Sequence, residues 1–349
     1  MPKIDRTWRF ALAATAETYG FLVEIATDEG ATGVAYTSVS EHIGAGQDRV
    51  AKALHELKPL LLGRDPLNVV ECLEALAATN PINQALAGYD LALHDLAART
   101  LGVPLYRLLG GKVRDDAPVL RILAIKTPAE MADVAAGLVA EGYRYLKIKV
   151  EGDPDADAAR VLAIRERVGP DVHLTIDANQ SYTVERAIRA IGLMESARID
   201  LVEQPVRADD FDGLGAVARA VETPVEADES AKTVDDVYRL VAGGIVDSVS
   251  LKLPKLGGLR AARAAAAICQ AGGVECRMGA AGGSRLLAAA GMHFLAATPS
   301  VGDMCELGEF ARLLDDPAEG LEVEHGRLRV PEGPGVGVRI IKERVEAEA

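Results

Sequence analysis

The feature that most constrains the fold is a regular alternation of short β-rich runs and Ala/Leu/Arg-rich helical runs, which begins at about residue 117. Cap signals such as Thr-Pro-Ala-Glu at 127–130 open the helical runs. Eight strands separated by helices match a (β/α)8 barrel, which takes roughly 250 residues. An open, doubly wound sheet is the alternative, but no GxGxxG motif follows an early strand. The predicted strands are 119–125, 145–150, 172–177, 200–203, 225–228, 248–253, 274–278 and 300–304.

The first hundred or so residues follow a different pattern. Residues 21–27 and 33–36 predict two strands joined by a turn at Asp28-Glu29-Gly30, so they form a hairpin. Three helical stretches follow, at 48–62, 68–79 and 83–101. We therefore expect three parts: an amino-terminal α+β capping domain at 1–112, a barrel at 113–315 and a tail returning to the capping domain at 316–349.

Composition excludes several classes of protein. The 349 residues are 49% apolar and 26% charged, which is enough for a large core and excludes a disordered chain. With 38 Lys+Arg against 52 Asp+Glu, the net charge is −14, so neither nucleic acid nor an anionic membrane surface is an expected partner. The four cysteines lack metal or disulfide spacing, and no signal segment follows Met1. We expect a cytoplasmic protein that forms a homo-oligomer.

Charged residues stand at the ends of five consecutive predicted strands: Lys149, Asp177, Glu203, Asp228 and Lys252. Subtraction of successive residue numbers gives gaps of 28, 26, 25 and 24, about one βα unit each. The carboxyl ends of barrel strands meet at one mouth, so these side chains are expected to converge. A lone Asp or Glu after a strand is most often a helix N-cap, and a lone Lys is most often solvated. Five in succession favour a catalytic site.

Three carboxylates on adjacent strands repel one another unless a cation lies among them. Oxygen ligands without His or Cys favour Mg²⁺, or Mn²⁺ in its place, over zinc. Lys149 and Lys252 would flank such an ion, and a lysine beside a divalent cation and another ammonium has a lowered pKa, which suits a base near neutral pH. Lys147 points to the same face as Lys149 and can supply that second ammonium or contact a substrate carboxylate.

The runs Lys-x-Lys, Asp-x-Asn, Glu-Gln-Pro, Ala-Asp-Glu-Ser and Leu-Lys-Leu-Pro-Lys-Leu-Gly-Gly resemble the enolase superfamily, specifically its muconate-lactonizing-enzyme subgroup, over nearly the whole chain. The resemblance implies a TIM-like barrel with an amino-terminal α+β capping domain. It implies that Lys149 and Lys252 act as acid and base on opposite faces of an enolate, with Lys147 supporting the enolate or carboxylate. It also implies that three carboxylates bind Mg²⁺: Asp177, Glu203 and Asp228.

The expected activity is that of a Mg²⁺-dependent isomerase, a cycloisomerase, racemase or epimerase, which removes a proton α to the carboxylate of a small substrate. The same lysines would serve a lyase, either an acid-sugar or hydroxyproline-type dehydratase or an o-succinylbenzoate-synthase-like enzyme. A non-catalytic binding paralogue is a third alternative. Exchange of the substrate α-proton in deuterated water separates catalyst from binder, and product mass separates isomerase from lyase.

Candidate substrate-binding residues lie where the chain departs from the subgroup's pattern. Dipeptide epimerases of the subgroup carry Asp-x-Asp after strand eight, whereas this chain has Asp303 and then Cys305, which argues against an amino-dipeptide substrate. Glu306 resembles the Glu-Leu run of cycloisomerases. Arg285 is a candidate for a second substrate carboxylate, with a paired arginine at a helix start as the alternative. The remaining candidates are Asn179, in the Asp-x-Asn run, and Trp8, for which packing in the capping domain is the alternative.

Overall fold

A computed structural model of the chain describes residues 6–10 and 16–346. It begins with an antiparallel sheet of β1 (Arg6–Phe10), β2 (Ala16–Ala26) and β3 (Thr32–Val39), with β2 in the centre. The helices that follow are α1 (Gln47–Leu57), α2 (Val69–Ala77), α3 (Asn83–Thr100) and α4 (Leu105–Leu108). A Cβ at Gly33 of β3 would lie 2.2 Å from the carbonyl oxygen of Ala92. The glycine therefore lets α3 lie directly on the sheet.

The next part of the chain alternates strands and helices. β4 (Asp116–Pro118) precedes a parallel sheet whose strands are hydrogen-bonded in the order of the sequence. These strands are β5 (Leu120–Leu123), β6 (Tyr145–Lys149), β7 (His173–Asp177), β8 (Leu201–Glu203), β9 (Val225–Ala227), β10 (Ser248–Leu251) and β11 (Glu275–Met278). The helices are α5 (Pro128–Ala140), α6 (Pro154–Val168), α7 (Val184–Met194), α8 (Phe211–Ala220), α9 (Val234–Ala242), α10 (Leu253–Leu256), α11 (Leu259–Gly272) and α12 (Arg285–Ala297).

The last position of the barrel is filled by one bridging residue. Cys305 forms parallel bridges with Met278 of β11 on one side and with Val119, just before β5, on the other. The N–H of Leu120 donates to the Cys305 carbonyl over 2.8 Å. The barrel therefore closes, which confirms the predicted (β/α)8 fold. The strand predicted at 300–304 is not formed: the N–H of Val301 donates back to the Thr298 carbonyl in a turn, and the N–H of Gly302 makes a single bond to the Cys276 carbonyl of β11 over 2.8 Å rather than a ladder.

The carboxyl-terminal segment runs back over the first part of the chain. It contains β12 (Ala318–Glu319), β13 (Val323–Glu324), β14 (Arg327–Arg329), β15 (Arg339–Ile340) and α13 (Lys342–Glu346), and β14 pairs with β4. The N–H of Leu105 donates to the Gly335 carbonyl over 2.8 Å, and the N–H of Val336 donates to Asp95 Oδ1 over 2.8 Å. These bonds tie the segment to α3 and α4. The domain boundaries at 112/113 and 315/316 stay predictions.

The strands of the barrel are buried on both faces. Lys147, Glu203 and Arg277 lie on β6, β8 and β11, yet they contact one another directly or through shared partners, so they point into the barrel. Their neighbours along the strands, such as Leu146 and Ile148, alternate with them and face the surrounding helices. The barrel interior is thus polar and its exterior apolar. Within the described part of the chain, none of the helices has the length and hydropathy needed to span a bilayer.

Candidate active site

The register of the parallel strands brings the predicted strand-end residues together. Lys149, Asp177 and Glu203 lie side by side on β6, β7 and β8, each in register with the next. Asp228 directly follows β9, and Lys252 directly follows β10. All five therefore lie at the carboxyl ends of consecutive strands, at one mouth of the barrel.

Lys147 lies at the centre of the cluster and is 1% exposed. Its Nζ is 2.6 Å from Glu203 Oε2, 2.8 Å from Glu306 Oε1 and 3.1 Å from Asp177 Oδ2. Burial alone would lower the pKa of Lys147, but these carboxylates outweigh it and raise the pKa well above its usual value. With these carboxylates around it, Lys147 is held in its charged form.

Lys149 lies on the more open side of the mouth, with 27% of its side chain exposed. Its Nζ donates to Asp177 Oδ2 over 2.6 Å and to Asn179 Oδ1. The Asn179 amide in turn donates to Glu229 Oε1 over 2.9 Å. The backbone at Asn179 and at Gln180 is left-handed, with φ of 40° and 68°. This turn aims the amide at the lysine, and Asn tolerates the conformation better than most residues.

Lys252 lies on the opposite side and is buried. Its Nζ donates to Asp228 Oδ2, while Lys255 donates to Asp228 Oδ1 over 2.6 Å and to the Ser250 carbonyl over 2.8 Å. Burial lowers the pKa of Lys252, but Asp228 and Glu203 raise it above its usual value. The lowered pKa that the sequence predicts for this lysine is therefore not produced by the protein groups alone. Burial raises the pKa of Asp228, yet Lys252 and Lys255 hold it well below its usual value.

Several residues of the cluster were not predicted from the sequence. Lys255 is fully buried and fixes Asp228, and it lies one helical turn after Lys252. Gln204 Oε1 accepts from the backbone N–H of Asp228 over 2.9 Å, which orients the chain after β9. Arg277 of β11, 4% exposed, contacts Glu203, Glu226 and Glu306. The sequence does contain a signal for Arg277: it is a charged residue in the middle of the strand predicted at 274–278, and both faces of a barrel strand are buried.

Of the predicted substrate-binding residues, the structure brings Asn179 and Glu306 to the cluster and leaves others elsewhere. Asp303 precedes the bridging residue Cys305, and its side chain is 89% exposed, 3.6 Å from Arg114. It therefore lies outside the mouth, because Glu306 follows the bridge and takes the inward position. The Trp8 side chain lies outside the described part of the structure; the Trp8 backbone pairs with Thr18 in the sheet of β1 and β2.

Arg285 is also outside the cluster. Its guanidinium pairs with Asp316 Oδ2 and with Glu322 Oε1, each at 3.0 Å, at the start of α12. It stacks on the Phe310 ring, 4.8 Å from the ring centroid. Because its donors are engaged by these carboxylates, the geometry favours the paired helix-start arginine over a ligand for a second substrate carboxylate.

The carboxylates of the cluster fit a hard divalent cation chemically. Among residues 6–10 and 16–346, no three carboxylate, imidazole or thiolate groups surround one point, because lysine ammonium groups lie between the carboxylates. Within those residues Glu203 Oε1 is buried without a hydrogen-bond partner, which is costly for an anionic oxygen. Burial and the charge of Asp177 raise the pKa of Glu203 well above its usual value. A cation would relieve both effects, and ligands that are all oxygen suit Mg²⁺.

A closed (β/α)8 barrel with lysines and carboxylates at one mouth, together with an antiparallel amino-terminal sheet, is the architecture of a class of enzymes, and comparison with known families identifies that class. The protein-family model described as "Enolase C-terminal domain-like" matches residues 130–344. A second family model, "Mandelate racemase / muconate lactonizing enzyme, N-terminal domain", matches residues 3–110. The chain belongs to the mandelate racemase/muconate lactonizing enzyme family of the enolase superfamily.

Relatives with known activities are similar over almost the whole chain. An N-succinyl-L-Arg/Lys racemase from Bacillus cereus is 30% identical over 93% of this chain and 89% of its own length. The crystal structure of that racemase superposes with a TM-score of 0.92, covering 99% of this chain and 94% of that one, at 27% identity. A hydrophobic dipeptide epimerase from Enterococcus faecalis is 37% identical over 79% and 78% of the two chains. Muconate cycloisomerase 1 from Rhodococcus opacus is 31% identical over 98% and 94%.

These findings confirm the predicted family, fold and class of enzyme. Racemases, epimerases and cycloisomerases are isomerases, and this chain is an isomerase of the enolase superfamily. Members of that superfamily use Mg²⁺.

Proposed function

We propose that this isomerase removes and returns the proton α to the carboxylate of a small substrate, with Lys149 and Lys252 as acid and base and with Mg²⁺ as cofactor. One observation carries the proposal. Lys149 ends β6 and contacts Asp177, whereas Lys252 follows β10 and contacts Asp228. Three strands of the barrel separate β6 from β10, so the two ammonium groups approach the row of carboxylates from opposite sides.

The residues that would hold Mg²⁺ are Asp177, Glu203 and Asp228. A bound Mg²⁺ supplies positive charge that offsets the negative charge developing on the substrate carboxylate as the α-proton leaves. The unpaired, buried Oε1 of Glu203 and the absence of nitrogen and sulfur ligands from this row of side chains support the assignment.

The lysines have different roles because their surroundings differ. The same carboxylates that would bind the ion raise the pKa of Lys252, while its burial lowers that pKa. When the charge of Asp228 is engaged elsewhere, burial remains and favours the neutral amine that a base requires. Lys149 would take or give the proton on the other face of the α-carbon. Lys147 keeps its charge and would donate to the substrate carboxylate.

The substrate class that we propose is a small carboxylic acid. The relatives suggest the compounds to test: N-succinyl amino acids, dipeptides and muconates are named for proteins at 30–37% identity. Assembly as a homo-oligomer and a cytoplasmic location stay predictions.

The experiment is exchange of the substrate α-proton in deuterated water. The full chain with Mg²⁺ is incubated with a panel of these acids, and loss of the α-proton signal is followed by NMR and by mass. We expect exchange with at least one acid, and we expect it to require Mg²⁺. A product lighter by one water would identify a lyase instead.

A Lys149→Ala/Lys252→Ala double variant tests the lysines in the same assay. Lys52→Ala is the matched control, because Lys52 lies on the surface of α1 with 76% of its side chain exposed. Exchange at the wild-type rate in the double variant would show that other groups move the proton.

A further inference from the structure

Arg277 is a buried charge that the proposed chemistry does not use. It lies on β11 inside the barrel, and its guanidinium bridges carboxylates from three different positions in the barrel wall. Its Nε donates to Glu226 Oε1 and Oε2 over 2.8 and 2.7 Å. Its Nη1 is 2.8 Å from Glu306 Oε1, and its Nη2 donates to Glu203 Oε2. A planar guanidinium with five fixed donors can make this set of contacts, and a lysine cannot.

The contact with Glu203 makes the two oxygens of that carboxylate inequivalent. Oε2 accepts from Arg277 Nη2 and lies 2.6 Å from Lys147 Nζ. Oε1 is buried and has no hydrogen-bond partner in the part of the chain that the structure describes. The hydrogen bond and the close ion pair described here therefore engage Oε2, and Oε1 keeps unused capacity to accept.

Glu226 holds Arg277 in this orientation. Glu226 is fully buried, lies in register with Glu203 on the neighbouring strand, and accepts from Ser248 Oγ over 2.8 Å as well as from Arg277. Its contacts with Arg277 engage both of its oxygens, so it is not a member of the row of candidate metal ligands.

Glu306 completes a closed ring of alternating charges. Glu306 Oε1 lies 2.8 Å from both Arg277 Nη1 and Lys147 Nζ, and Lys147 and Arg277 share Glu203 Oε2. In this ring each cation contacts both anions, so the position of each side chain depends on the other three.

We propose that Arg277 is a positioning residue for the metal site: it occupies Oε2 of Glu203, which leaves Oε1 as the oxygen that would be available to the ion, and Glu226 fixes Arg277 in this orientation. The inference rests on the proposed function, because it concerns the same Mg²⁺ site. Outer-shell partners of metal ligands contribute about 10–100-fold to metal affinity, and this is the size of effect expected here. The rival explanation is that Arg277 only balances the buried charge of Glu226.

Substituting both partners separates the two explanations. Removing one member of a buried ion pair leaves an unpaired charge, whereas replacing both by apolar residues of similar volume is often neutral. Arg277→Met should therefore lower both Tm and Mg²⁺ affinity. Arg277→Met/Glu226→Met should recover Tm, yet bind Mg²⁺ about 10–100-fold more weakly than wild type in calorimetric titrations.

The conservative variant provides a second readout. Arg277→Lys keeps the charge but cannot reach all three carboxylates, so its Mg²⁺ affinity should fall while Tm falls less than in Arg277→Met. If the double variant does not fold, Arg277→Lys and Glu226→Gln are compared with wild type in the same titration, and weaker Mg²⁺ binding by folded protein supports the positioning role.

The outcomes distinguish this inference from the proposed function. Wild-type Mg²⁺ affinity in the folded double variant, or in Arg277→Lys, would overturn the role of Arg277 and leave the proposed function intact. If the wild-type chain itself did not bind Mg²⁺, the proposed function and this inference would both be overturned.

Discussion

The two sides of the mouth hold their lysines in different ways. Lys149 is 27% exposed in its side chain and contacts Asn179 on a left-handed turn, whereas the Lys252 side chain is 9% exposed and lies among Asp228, Lys255 and the wall of the barrel. Water can compensate for a lost partner on the first side but not on the second. One lysine is thus free to adjust to a substrate, and the other is fixed before a substrate arrives.

The largest expected effect comes from removing one lysine at a time, which tests whether the two sides of the mouth serve opposite faces of the substrate. Because the lysines approach from opposite sides, Lys149→Ala and Lys252→Ala should each abolish exchange of one substrate enantiomer and keep some exchange of the other. Turnover that needs both lysines should fall by about 10²–10⁴-fold in each variant. The measurement is α-proton exchange with each enantiomer separately. The same enantiomer preference in both variants would mean that the lysines do not serve opposite faces.

The next test is how the free energy of unfolding changes in acid, which depends on Asp228. A carboxyl whose folded-state pKa is lowered contributes stability that is present above its unfolded pKa, about 3.9, and is lost as pH falls through the folded value. Asp228→Asn leaves Lys252 and Lys255 buried without an anion, which should cost about 3–5 kcal/mol at pH 7 in metal-free buffer. This deficit in the free energy of unfolding should shrink below about pH 4, because the wild-type protein then loses the stability that the ionised Asp228 carboxylate provides.

Urea unfolding of both proteins at pH 7, 5 and 3.5 measures that deficit. Asn179→Gly is the matched variant on the open side, since glycine accepts the left-handed backbone, and it should show a small deficit at every pH. A deficit for Asp228→Asn that stays constant down to pH 3.5 would contradict the lowered pKa of Asp228.

The smallest effect concerns the stabilisation that Mg²⁺ gives to the folded chain. At about 100 times its Kd, a ligand that binds only the folded state adds about 2.7 kcal/mol to the free energy of unfolding. Asp228→Asn should lose most of this gain and Asn179→Gly should keep most of it. Thermal unfolding with Mg²⁺ and with a chelator gives the comparison. Equal loss in both variants would show that the two sides contribute alike to the ion site.

The sequence was enough to predict that Lys149, Asp177, Glu203, Asp228 and Lys252 meet, because their spacing equals one βα unit and parallel strands align their carboxyl ends. It was not enough for Arg277 and Glu226. In a strand with one wet face, charged residues that alternate with apolar ones indicate the solvent side. In this barrel the charged side chains are inside and the apolar ones lie under the helices, so the same alternation marks the charged residues as the interior of the barrel rather than its solvent side.

Positions near strand ends were predicted less well where the backbone departs from regular structure. The sequence predicted a last strand at 300–304, whereas the chain joins the sheet at Cys305. This difference moves Asp303 out to solvent and turns Glu306 inward. Lys255 was missed for a related reason: a helix of one turn folds it back onto Asp228, and residue spacing alone does not reveal such a return.

The single-residue closure divides the barrel wall into a continuous sheet and a seam. The strands from β6 to β10 carry the lysines and carboxylates and are joined by continuous ladders. The seam at Cys305 is held by isolated bridges, and it lies beside Glu306 and the glycine-rich loop after β11. No strand ladder runs through the seam, so we expect that its loops can change in sequence to fit another substrate while the lysines and carboxylates on the continuous strands keep their positions.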